Sequence, residues 1–113
     1  MGTEPRATPN PAQRRKKMAT FVTLVNFTDQ GIRAVKQSPD RFEAFKGLME
    51  KMGGSVKAVW WTVGSHDMVV VCEGSEEMAT AALLTVGSLG NVRTQTLRAF
   101  DETEIRRIIG LMP

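Results

Sequence analysis

Tyrosine is missing from this chain, histidine and cysteine occur once each, and no long apolar run is present. Each scarcity closes off a line of chemistry. A lone cysteine, Cys72, makes no internal disulfide and suits a reducing compartment, so a cytoplasmic location is expected. One histidine, His66, and one cysteine are too few for the three or four ligands of a protein zinc site, and no metal is expected. Six positions apart along a strand, the two would lie roughly 20 Å from each other. No stretch approaches the ~20 apolar residues of a membrane span. The basic N-terminal residues have no hydrophobic segment behind them, so no secretory signal is expected either. A glycine-rich phosphate loop is also lacking, because "GSLGNV" (Gly87–Val92) reads as a helix-to-strand turn.

What is present begins with an uneven distribution of charge. The chain has 113 residues and a formal net charge of +3. Residues 1–18 hold five basic side chains (Arg6, Arg14, Arg15, Lys16, Lys17) against Glu4 alone. The remaining 95 residues carry ten basic and eleven acidic side chains, so the basic pI belongs to the tail. Three prolines and few apolar residues leave residues 1–17 unable to bury enough surface to order themselves, and a disordered tail is expected. Its "RRKK" run could meet phosphates. Without interleaved aromatics it reads instead as a solubilising arm, or as sequence upstream of a start at Met18, and nucleic acid is not an expected partner.

From Met18 the pattern becomes regular, and residues 18–113 read as one small domain. "ATFVTLVNF" (Ala19–Phe27) predicts a strand. Thr28 or Asp29 is placed to cap a helix bearing Ile32 and Val35 on one side. Ser38-Pro39 predicts a break, with Ser38 capping a second helical run. In that run Phe42, Phe45, Leu48, Met49 and Met52 recur at three- and four-residue spacing until Gly53-Gly54. "SVKAVWWTVG" and "HDMVVVCEG" predict two strands joined at Gly64-Ser65. Ser75 caps a further helix with Glu76 and Glu77 in its first turn. "VRTQTLRAF" predicts a fourth strand, followed by a short helix capped by Asp101 or Thr103.

Strand, helix, strand, strand, helix, strand is the ferredoxin-like βαββαβ order of an α+β protein. It implies an antiparallel four-stranded sheet with both helices on one face and the first and third strands central. "MVVVC" (Met68–Cys72) has no polar position, as expected of a strand covered on both sides. Helices cover one face only. The other should expose apolar side chains, and such a patch usually marks an interface. Trp60 and Trp61 are adjacent and must point to opposite faces, so only one lies beneath helices. A second copy is therefore the expected partner, through the sheet face.

"TDQGIR" (Thr28–Arg33), "SPDR" (Ser38–Arg41), Gly53-Gly54, "GSHDMVVVCEG" (Gly64–Gly74) and "GSLGNVRTQTLRAF" (Gly87–Phe100) together resemble the GYD-domain proteins. These are small bacterial proteins of the dimeric α/β-barrel superfamily. The namesake Gly-x-Tyr-Asp stands here as Gly64-Ser65-His66-Asp67, with His66 at the tyrosine position. The resemblance implies the fold and a dimeric barrel, but no activity.

His66 and Asp67 are the candidate catalytic residues, since imidazole titrates near neutral pH and a carboxylate can orient it. As strand neighbours they point apart, so each would need a partner from elsewhere. The same alternation groups Asp67 and Glu73 on one face, where two carboxylates could flank a cavity. The structural alternative is that Asp67 accepts hydrogen bonds at the turn while Glu73 ends the strand. Arg33, Arg93 and Arg98 are weaker anion-binding candidates. Two functions stay open. One is an oligomeric small-molecule-binding or regulatory module, with Phe21, Trp60, Trp61, Met68 and Glu73 as candidate ligand contacts for a small apolar or aromatic molecule. The other is a cofactor-independent oxygenase or isomerase using His66 or Asp67 as base. No cofactor is expected in either.

Overall fold

The computed structural model describes residues 18–113, so the expected tail over residues 1–17 lies outside the described residues. Strand β1 (Ala19–Phe27) leads through Thr28 into a short helix α1 (Asp29–Arg33). Thr28 caps it as expected, its hydroxyl oxygen accepting from the Gly31 N–H. A 3-10 turn (Val35–Gln37) then runs directly into α2 (Ser38–Lys51).

Here the structure departs from the sequence expectation. Ser38 is not a cap but the first residue of α2, with helical φ −57° and ψ −42° despite the proline that follows. The reason is tertiary. Ser38 is buried, and its Oγ accepts the Trp61 indole N–H at 3.0 Å, so the hydroxyl is taken up away from its own helix end. Ile32 and Val35 also differ from expectation, being 50% and 39% exposed; the buried residue of α1 is Gly31.

The chain continues through β2 (Ser55–Trp61), β3 (Met68–Gly74), α3 (Glu76–Ser88), β4 (Val92–Ala99) and α4 (Glu102–Ile109). Caps fall where the sequence placed them, at Ser75 for α3 and at Asp101 for α4, where Glu104 completes a capping box. Gly90, at φ +85°, supplies the left-handed residue that turns α3 into β4.

The strands form one antiparallel sheet in the order β2-β3-β1-β4, the ferredoxin-like arrangement. Alternation sorts its side chains cleanly. Phe21, Thr23 and Val25 of β1 and Met68, Val70 and Cys72 of β3 are buried against the helices. Met49, Ala79 and Ala82 meet Phe21 and Cys72 from above, with Phe45 and Leu48 packed alongside. Cys72 is 1% exposed, and burial raises its thiol pKa, so it behaves as a small core hydrophobe.

The opposite face carries Val22 and Leu24 from β1, Val69 and Val71 from β3, Ala58 and Trp60 from β2, and Leu97 from β4. No element among the described residues covers it, and Trp60 is 56% exposed. Helix α4 repeats the theme. Ile105 and Ile109, with Leu111 and Met112 beyond them, are exposed, while Arg106 and Glu102 pair on its polar side at 2.7 Å.

Candidate functional site

His66 and Asp67 lie just before β3, in the loop Thr62–Asp67 that joins it to β2. The loop is closed by the Thr62 N–H donating to the Asp67 carbonyl at 2.8 Å. Both side chains turn to the end of β1, but to separate partners. The Asp67 Oδ2 accepts the Phe27 backbone N–H at 2.8 Å, and the Asp67 N–H donates to the Val25 carbonyl. The Asn26 amide donates to the Ser65 carbonyl at 2.7 Å, which leaves its Oδ1 facing His66 Nδ1 at 3.0 Å. An amide oxygen can only accept, so Nδ1 carries the proton in this contact. His66 and Asp67 thus fasten β1 to the β2–β3 loop, and the structure does not join them to each other.

The Asp67 contact has a measurable consequence. Asp67→Ala should cost about 2 kcal/mol by orphaning the Phe27 N–H. Asp67→Asn keeps an oxygen acceptor and should stay close to the unaltered protein. Urea midpoints of the two variants separate the cases; equal losses would mean that charge, not acceptor geometry, is what matters.

The other candidate residues are dispersed. Glu73 pairs with Lys57 at 3.4 Å, at the opposite end of β3 from Asp67. The two carboxylates do not flank the cavity described below, which lies on the helix side of the sheet, whereas Glu73 follows Val69 and Val71 on the open side. Phe21 lies in the core with the Arg98 guanidinium 5.7 Å from its ring centre; Arg98 also stacks on Phe100 at 4.4 Å. Trp60 is on the open face. Trp61 is on the helix side, edge-on to Phe42 with ring centres 5.8 Å apart. Of the five expected ligand contacts, only Met68 lines the cavity.

That cavity, of about 290 Å³, lies between α2, α3 and the sheet. Its walls are Val25 and Val70 from the strands, Phe42, Phe45 and Leu48 from α2, and Val86 from α3. Ala44 and Leu89, both exposed, stand at its rim. Well-packed interiors rarely leave voids larger than a water molecule. A space of this size is at the lower edge of small-ligand pockets, roughly 300 Å³ and upward. Polar groups in its lining are few: Thr23, whose hydroxyl meets that of Thr96 at 3.0 Å, then Ser38 and Arg41 on α2, and Thr85, Asn91 and Thr94. Sequence reasoning missed this site because its apolar residues carry the periodicity of ordinary core. Ser38 and Arg41, inside the "SPDR" segment, were the only available signal; Ser38 read as a cap, and Arg41 stood out only as part of that segment.

Comparison with known proteins agrees with the architecture. The sequence profile described as "GYD domain" matches residues 21–109. A protein of Thermus thermophilus called "Glutamine synthetase and cystathionine beta-lyase binding protein" is 31% identical over 90 residues. That match spans 78% of this chain and 95% of the relative. Among solved structures, a homoserine dehydrogenase from Thiobacillus denitrificans superposes with a TM-score of 0.51 at 16% identity. The superposition takes in 74% of this chain but 18% of that enzyme, and it is a likeness of fold alone.

Proposed function

The chain belongs to the GYD domain family, and from that premise we propose that it is a binding module without catalytic chemistry of its own. In this reading it pairs with a second copy across its open sheet face and holds a small apolar molecule under its helices. The observation that carries the reading is the open face itself. Val22, Leu24, Val69, Val71, Trp60 and Leu97 form one apolar surface over all four strands. Monomeric proteins seldom leave apolar patches beyond a few hundred Å² uncovered. The exposed apolar side of α4 offers the same copy additional area.

The relative named for binding glutamine synthetase and cystathionine beta-lyase supports a regulatory use. On this reading the assembled module engages a metabolic enzyme, and the occupancy of its cavity adjusts that engagement. His66 and Asp67 are then structural fasteners, which fits their separate hydrogen bonds to β1.

Native mass spectrometry of the full chain tests the assembly. A dimer, or a multiple of it, is expected at micromolar concentration. A monomer at that concentration would remove the basis of the reading, since the apolar face would then be exposed in the working protein.

A further inference from the structure

Two polar side chains one turn apart on α2 set the chemistry of the cavity. Ser38 lines it and is 3% exposed. Its oxygen already accepts from the Trp61 indole, but its own O–H reaches only the Met68 sulfur, at 3.9 Å. A thioether is a weak acceptor, so a buried donor here lacks a good partner. Arg41 lines the same space. Its Nη1 donates to the Ala34 carbonyl at 2.9 Å and its Nη2 to the Gly31 carbonyl at 3.3 Å. Both acceptors are neutral, and no carboxylate pairs with Arg41 among the described residues. Arg41 belongs to the first turn of α2, and its guanidinium reaches back to these carbonyls at the C-terminal end of α1.

An anionic oxygen would answer both groups at once, accepting from the Ser38 hydroxyl and from the remaining guanidinium N–H groups. Beyond these two, most of the wall is hydrocarbon. We propose that the cavity binds a small apolar monocarboxylate, its carboxylate held by Ser38 and Arg41 and its hydrocarbon part seated among Val25, Val70, Phe42, Phe45 and Val86. One cation beside an apolar chamber suits one negative charge; a second charge on the ligand would be buried unpaired. The proposal rests on the binding-module reading above and gives its ligand a chemical class.

Octanoate and 1-octanol, titrated separately into the full chain, test it. The readout is the Trp61 indole N–H resonance, identified by its loss in Trp61→Phe, because that group donates to Ser38. Octanoate is expected to bind saturably, to shift this resonance, and to bind at least about tenfold more tightly than 1-octanol. Arg41→Gln should remove that advantage. Equal affinity for the two probes, or an octanoate affinity indifferent to Arg41→Gln, overturns the carboxylate assignment and leaves the binding-module reading standing. Binding of neither probe overturns the ligand half of that reading as well. The comparison of probes on the unaltered chain stands even if the Arg41 variant fails to fold.

Discussion

Arginine in place of Leu24 is expected to turn the proposed dimer into folded monomers, weakening association at least about 100-fold. Leu24 lies on β1, a central strand, between Val69 on β3 and Gln95 on β4, and its side chain points away from the helices. In an isologous pair the substitution enters twice, so two guanidinium groups are driven into one apolar interface. Juxtaposed like charges cost several kcal/mol, and each ~1.4 kcal/mol is a factor of ten in the dissociation constant. The core is untouched, because Phe21, Thr23 and Val25 carry the buried side of the same strand. Sedimentation equilibrium with circular dichroism on the same samples reads both properties. Retained dimers with an unchanged spectrum would show that this face is not where the copies meet.

Alanine in place of Gly31 is expected to be the most damaging conservative change in the fold. A Cβ at this buried helical position would overlap the backbone carbonyl oxygen of Asn91. That carbonyl is committed, accepting the Thr28 N–H at 3.1 Å. Around it the Thr28 hydroxyl donates to the Gly90 carbonyl at 2.6 Å, and the Gln30 amide donates to the Leu89 carbonyl and Asn91 Oδ1. Making room for one methyl therefore pulls α1 away from the whole turn between α3 and β4. Overpacking of this kind costs about 1–3 kcal/mol, and the upper end lowers the melting temperature by roughly 10–20 °C in a domain of this size. Gly47→Ala is the matched control. A Cβ at Gly47 meets nothing within 4 Å, and Gly47 lies mid-helix in α2, so alanine should stabilise by about 0.5–1 kcal/mol. Calorimetry should move the two variants in opposite directions.

The fold was legible because its strands advertise their faces. "MVVVC" announced a central strand, and the strict alternation of β1 separates Phe21, Thr23 and Val25 from Val22 and Leu24 without any knowledge of tertiary structure. Trp60-Trp61 also declared that one indole would point away from the helices, although Trp61 on the helix side is itself 43% exposed. Which one it is depends on the register of β2 against β3 and on the irregularity between Val56 and Ala58, and neither is written locally. The cavity was illegible for a related reason. Phe42, Phe45 and Leu48 have the spacing of core residues whether the facing helix packs tightly or leaves a gap. Ser38 beside a proline looks like a cap, and only the indole of Trp61, 23 positions away, turns it into a cavity wall. His66-Asp67 drew attention as a pair, yet the groups they bond to, Asn26 and Phe27, lie 40 residues earlier.

The strand order also bears on how the chain is made. β1 is synthesised first among the strands, but its neighbours are β3 and β4, and its last partner spans Val92–Ala99. At roughly 5–20 residues per second, translation needs on the order of seconds to deliver that partner. During this interval the segment "FVTLVNF" has at least one backbone edge unpaired and apolar side chains on both sides. Its β-rich, uncharged composition is the kind that pairs with copies of itself when left open. Aggregation during synthesis is therefore expected to fall on the strand that later forms the centre of the sheet, and variants that slow the closing of β4 onto β1 should lower the yield of soluble protein before they lower its stability.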